Sequence, residues 1–165
     1  MTRTGLEYAL HRVHHGENEV VQQLTRMADR HQQEAEVHHV ATDLKGWSAI
    51  NIARLADAAE SYDVSLSREP DRPGVIRHAV ESLVSAAGDG RAPALVLLED
   101  LRDLYLVASE TSLAWEMLAQ HAQARRETDL LQVTSDCHPQ TLRQIRWANG
   151  MIKTLSPQAL AALDT

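Results

Sequence analysis

A few residues in this chain have types and spacings that chemistry could use. Glu36 and His39 form a Glu-x-x-His pair, which puts a carboxylate and an imidazole on one helix face and suits a transition metal. His11 and His15 stand four apart, and His31, Glu34 and His38 cluster, so either group could present a second metal-binding face. Surface histidines at such spacings also arise by chance in a chain with nine of them. Cys137 is the only cysteine. It precedes His138, but neighbours on a helix point apart, and a catalytic thiolate needs a base within reach and a lowered pKa. Trp47, Trp115 and Trp147 could line a small-molecule pocket, although tryptophans on bundle helices more often fill a core or an interface. No Gly-x-Ser-x-Gly elbow and no glycine-rich phosphate loop is present.

The elements that would position these residues are helices. Leu6, Leu10, Val13, Glu17, Val20, Leu24, Met27 and His31 follow one another in alternating steps of four and three, the stripe of a bundle-facing helix. Thr4-Gly5-Leu6-Glu7 has capping-box spacing, so the first helix is predicted from about Gly5 to His31. Val37, Ala41, Leu44, Ser48, Asn51, Leu55, Ala58 and Tyr62 form a second stripe, on a helix predicted from about Glu34 to Tyr62. The short link around Gln32 and Gln33 makes the two helices antiparallel neighbours.

Pro70 and Pro73 break the pattern, and Pro73 suits the first turn of a short helix ending near Gly88. A third long helix is predicted from Pro93 to Arg125, with an apolar surface too wide for one seam. A fourth is predicted from Thr128 to Leu155, kinked or restarted at Pro139, with a last short helix opening at Ser156-Pro157. The plan is hairpin, long crossover with its own short helix, hairpin. A weak repeat at an offset of 93 residues agrees with it, pairing Glu17 with Glu110, Ser48 with Thr141 and Asn51 with Gln144.

Composition sets the outer bounds. A length of 165 residues suits one domain, taken as 1–165, and 44 % apolar content suits a folded core. A formal charge of −7 argues against a nucleic-acid backbone as partner and weakly against anionic membranes. No stretch approaches a membrane span and no apolar signal core follows Met1, so a cytoplasmic location is expected.

With its helices laid out, the chain resembles the ferritin-like superfamily over roughly residues 5–155. The segments Ala108-Ser109-Glu110-Thr111-Ser112-Leu113-Ala114-Trp115 and His138-Pro139-Gln140-Thr141-Leu142-Arg143-Gln144 look like a poorly characterised bacterial ferritin-like helical-bundle family. The resemblance implies an all-α, four-helix core and often a dimetal centre, with a Glu from the first and third helices and Glu-x-x-His from the second and fourth. By position, Glu17 and Glu110 match the two single glutamates.

The remaining ligands do not fit. A turn centred near residue 32 sets Glu17 opposite residue 48, whereas Glu36 and His39 lie about 11 positions away, roughly 16 Å along the bundle. The fourth helix has no Glu-x-x-His. At the right level stand Ser48, Asn51, Thr141 and Gln144, neutral groups that make poor iron ligands. The expectation is a lost metal site: Glu17, Ser48, Asn51, Glu110, Thr141 and Gln144 as a buried polar layer, no metal, no cofactor and no catalytic residue. Arg54, Arg143 or Arg146 could pair with the carboxylates. The competing expectation puts Glu17 and Glu110 at stripe edges, reaching solvent.

Three functions follow from this reading. The first is a non-catalytic interaction or structural module, homodimeric through the third helix or through Val75, Ile76, Val80, Leu83 and Val84 of the crossover. The alternative is a ferritin-like metal-dependent oxidase or iron-handling protein, and a third is a small-molecule binder.

Overall fold

The computed structural model describes residues 5–72 and 90–164. The short helix expected between Pro73 and Gly88, with its apolar residues, lies outside them. The described residues form four helices, α1 (Gly5–Arg30), α2 (Ala35–Glu60), α3 (Pro93–Arg125) and α4 (Thr128–Ala161). No strand occurs among the described residues, and none of their helices is long and apolar enough to cross a membrane.

Both hairpin stripes pack inward. In α1 every stripe position from Leu10 to Met27 is buried, and His31 follows in the turn. The second stripe is buried at Val37, Ala41, Leu44, Ser48, Asn51 and Leu55 of α2, and half-buried at Ala58 and Tyr62. α2 ends at Glu60, two residues before the expected Tyr62, and Asp63 then turns the chain with φ 57. α3 opens with Pro93 in its first turn, where no backbone N–H is required. It closes on Arg126, which takes a left-handed φ of 58.

α4 departs from expectation. It runs without interruption through Pro139 and Pro157, so neither a restart at Pro139 nor a separate helix at Ser156 occurs. Each proline deprives the carbonyl four residues earlier of its donor. Pro139 and Ser135 are both exposed, as are Pro157 and Lys153, so water can take the freed carbonyls.

Side-chain pairs set the helix directions. Arg12 meets Glu110, and Arg30 and His31 meet Asp100, so α1 and α3 are antiparallel. His38 donates to the Ala28 carbonyl and Asn51 to Glu17, so α1 and α2 are antiparallel. α4 runs antiparallel to α3 (Ser112 with His138) and to α2 (Ser48 with Gln144, Arg54 with Asp136). After α2, residues 63–72 follow α1: His14 Nε2 donates to the Ser67 carbonyl at 2.8 Å, and the Asp71 amide donates to Asn18 Oδ1 at 2.7 Å.

One end of the bundle is pinned by charge. Asp100 is buried and accepts two bonds from Arg30 Nη1, at 2.9 and 3.1 Å, and one from His31 Nε2 at 2.8 Å. His31 Nδ1 faces Glu34 at 3.5 Å, and Gln23 donates to the Asp100 carbonyl. His31, whose spacing to Glu34 and His38 could have presented a metal face, has its ring committed to Asp100. Among the described residues no group of three or more His, Cys, Asp or Glu is placed to hold a metal ion.

α1 and α3 approach closely at Gly16. A Cβ there would stand 2.7 Å from Thr111 Oγ1, and that hydroxyl is itself held by the Val107 carbonyl at 2.8 Å. Thr111 is β-branched and has little rotamer freedom in a helix. Gly16→Ala is therefore expected to destabilise the fold by about 1–3 kcal/mol, the range for overpacking, despite the better helix propensity of alanine. Urea unfolding checks this, and a Thr111→Ala partner substitution should recover most of the loss.

Candidate functional site

The core of the bundle divides into two apolar clusters. One contains Val20, Leu24, Met27, Leu44, Leu101 and Leu104; the other contains Leu10, Val13, Leu55, Trp115, Leu118 and Leu130. Near their boundary lies a set of buried polar side chains from all four helices. It comprises Glu17 of α1, Ser48 and Asn51 of α2, Trp115 of α3, and Thr141 and Gln144 of α4.

Glu17 is the centre of this set and has no solvent exposure. Its Oε1 accepts from Trp115 Nε1 at 2.7 Å, Asn51 Nδ2 at 3.0 Å and Thr141 Oγ1 at 3.1 Å. Asn51 also shares its amide with the Cys137 carbonyl at 3.3 Å. Gln144 Nε2 donates to Ser48 Oγ at 2.8 Å and to the Leu44 carbonyl at 3.2 Å. Two buried acceptors, Glu17 Oε2 and Gln144 Oε1, have no hydrogen-bond partner.

Burial pushes the Glu17 carboxyl above the ordinary glutamate range; bonding from Ser48, Trp115, Asn51 and Thr141 opposes the rise without cancelling it. Ser48 exerts the largest of these opposing effects although its hydroxyl does not meet Oε2 at hydrogen-bond geometry. Among the described residues no guanidinium enters the layer. Arg54 pairs with Asp136, Arg143 lies over the Trp47 ring, and Arg146 is exposed.

Glu110 is not part of the layer. Its side chain is 68 % exposed and forms an ion pair with Arg12 Nη2 at 2.7 Å. The reason is helical phase. The buried face of α3 passes through Leu104, Ala108, Thr111 and Trp115, and Glu110 precedes Thr111 by a single residue, about 100° around the helix. Trp115 occupies the third-helix place in the layer. It was read from sequence as a core residue or a pocket wall, and its position on the α3 seam at the level of Glu17 is the signal that marks it.

The three tryptophans do not line one pocket. Trp115 is in the core, while Trp47 and Trp147 pack against the other apolar cluster. Glu36 and His39 are exposed on α2, far along the helix from Ser48. Cys137 is buried, and its thiol is pushed up to about 11, chiefly by burial, which removes it as a nucleophile at neutral pH.

A dinuclear metal centre does not fit this donor set. One carboxylate reaches the layer, one of its oxygens already takes three donors, and every other member is a neutral hydroxyl, amide or indole. Two divalent cations beside a single carboxylate would keep an uncompensated charge of about +3 in a low-dielectric core. What the arrangement does is hold one carboxyl by neutral donors from three neighbouring helices.

The raised pKa of Glu17 carries a sign. Its stabilising contribution is complete below the unfolded glutamate value and is lost as pH rises through the higher folded value. Glutamine keeps the Oε1 acceptor and cannot ionise. Glu17→Gln is thus expected to be more stable than the wild type at pH 8 by about 1–3 kcal/mol, the scale of an unsatisfied buried polar group. The gap should narrow as pH falls toward the ordinary carboxylate range. Denaturant midpoints across that window check it; a wild type more stable than the variant at pH 8 would show that the layer favours the carboxylate.

Compared with models of known protein families, with curated proteins and with solved structures, the chain matches none.

Proposed function

We propose that this chain is a helical interaction module of ferritin-like topology, in which a hydrogen-bonded layer stands where a metal site would lie. The observation that carries the reading is the chemistry around Glu17, a fully buried carboxyl served by neutral donors and, among the described residues, by no second anionic ligand. A centre organised in this way holds helices together and supplies no coordination sphere. The helix directions favour the topology. α2 and α3 both run antiparallel to α1 and are therefore parallel to each other, the relation that the second and third helices have in a bundle with a crossover.

The surface through which such a module works is the outer face of α3. Leu106, Leu113 and Met117 are 48, 66 and 53 % exposed and share one stripe, by their spacing of seven and four. Nearby charges on this face are already paired, Arg102 with Asp103 and Glu110 with Arg12. The stripe is self-complementary in an antiparallel sense. A twofold axis midway between Leu106 and Met117 sets each on the other's copy and leaves Leu113 close to the axis, as an isologous contact requires. A second copy of the chain is therefore the partner this reading names.

Sedimentation across the micromolar range should show a concentration-dependent dimer that Leu113→Asp converts to monomer without loss of helical circular dichroism. A wild type that stays monomeric throughout would reject the dimer. Metal analysis of the same samples tests the centre. A dinuclear complement of iron, manganese or zinc, abolished by Glu17→Gln, would put the oxidase reading in place of this one.

A further inference from the structure

We propose that Ser112 is an acyl-accepting nucleophile, activated by His138 across the contact between α3 and α4, and that it takes an apolar acyl group from an activated carboxylic ester. Ser112 Oγ and His138 Nε2 are 2.7 Å apart, and Glu116 Oε2 lies 4.0 Å from His138 Nδ1. Serine, imidazole and carboxylate thus stand in the order that nucleophilic catalysis uses, base beside nucleophile and acid behind base. Helical spacing builds the group. Ser112 and Glu116 are one turn apart on α3 and reach the same ring on α4.

The environment favours the reactive protonation state. His138 is largely enclosed, its side chain 17 % exposed, and burial lowers its pKa below the ordinary histidine value against an opposing pull from Glu116. That shift favours the neutral ring, and a neutral ring can accept the serine proton. A proton on Nδ1 leaves Nε2 free to accept, and the Glu116 carboxylate on the Nδ1 side favours that tautomer. Ser112 is half-buried and not sealed. Leu113 and Met117 are exposed beside it, and Leu142, 37 % exposed, stands one turn beyond His138. These side chains suit a short apolar acyl chain and not a charged one.

The step balances without a further reagent. Ser112 Oγ attacks the ester carbonyl as its proton passes to His138 Nε2. The oxygen–acyl bond forms, the bond to the leaving aryloxide breaks, and His138 returns the proton to that aryloxide. The products are acyl-Ser112 and a phenol. Ser112 and His138 lie within continuous helices, whose backbone N–H groups are already bonded, so no pair of free amide donors is ready to hold an oxyanion. The reaction is therefore limited to esters with good leaving groups and stops at the acyl-serine. It modifies the protein once and does not turn over amides.

This proposal goes beyond the interaction reading and is tested apart from it. Whole protein is treated with an aryl butyrate ester, and adducts are read by intact mass and peptide mapping, on the wild type and on Leu106→Asp, which charges the dimer stripe and leaves Leu113 and Met117 in place. The use of both proteins separates failure of the dimer from failure of acylation. One butyryl group per chain is expected on Ser112, with the exposed Ser135 unmodified as an internal control. Ser112→Ala should abolish the adduct, and His138→Gln should slow it by about 100-fold, the lower end of general-base effects.

Glu116 is a positioning residue. Glu116→Gln should move the midpoint of the rate-against-pH profile downward, a shift that a merely structural role would not cause. If His138→Gln loses its helical signal, the wild-type profile decides. A rate that levels off above a midpoint in or below the ordinary histidine range supports the proposal, and one that climbs only into the alkaline range overturns it. Absence of an adduct, an adduct on another residue, or a folded His138→Gln that reacts at the wild-type rate would also overturn it.

Discussion

The buried carboxyl of Glu17 is the constraint on which the rest of the bundle depends. A carboxyl without access to water must be protonated or bonded, and one helix cannot supply the partners. Here they come from Asn51, Trp115 and Thr141, one from each of the other helices, so satisfying this one oxygen requires all four elements at the same level. The apolar clusters on either side can tolerate many packings. The layer between them tolerates few, because any packing that withdraws a donor leaves a polar atom stranded.

Much of the fold was legible because it rests on period. The four-three steps of α1 and α2 located their buried faces, and the short link between them required a hairpin. The boundaries of α3 were legible because Pro93 can begin a helix and the chain after Arg125 turns into a new pattern. What failed in α4 was the restart expected at Pro139 and the separate helix expected at Ser156. A proline breaks a helix only where the carbonyl it orphans has nowhere to go, and exposure of Ser135 and Lys153 is a tertiary property. The Asp100 network was hidden for a similar reason. Arg30, His31 and Asp100 lie some 70 residues apart in sequence, and only the antiparallel meeting of α1 and α3 brings the aspartate between the two bases.

The layer was half legible, and the missed half is instructive. Ser48, Asn51, Thr141 and Gln144 stand on their stripes, so position alone marked them for the interior. Glu110 was chosen by correspondence with Glu17 and not by the stripe of its own helix. One residue of phase separates it from Thr111, and in a helix one residue is the difference between the core and an ion pair with Arg12. The competing expectation, a solvent-reaching glutamate, holds for Glu110 and fails for Glu17. Trp115 was passed over because its bulk was read as apolar filling, whereas its single N–H is what α3 contributes to the carboxyl.

The arrangement also explains how a bundle with such uniform seams keeps its register. Slide α2 by one heptad and the Asn51 position is filled by Leu44 or Ala58, the Ser48 position by Ala41 or Leu55. Slide α4 and Gln144 gives way to Cys137 or Met151, while Thr141 gives way to Thr134 or Ala148. Thr134 is the one substitute that keeps a comparable donor, and using it would move Gln144 away from Ser48 in the same step. Apolar packing would change little under these shifts, but the layer would lose a hydrogen bond in each. Gly16 adds a steric condition beside the electrostatic one, since α1 and α3 come this close only where glycine faces Thr111. A polar group at a single level of an otherwise apolar core thus acts as a reference mark along the bundle axis. The outer face of α3 carries no comparable mark, which leaves its apolar stripe available for contacts outside the chain.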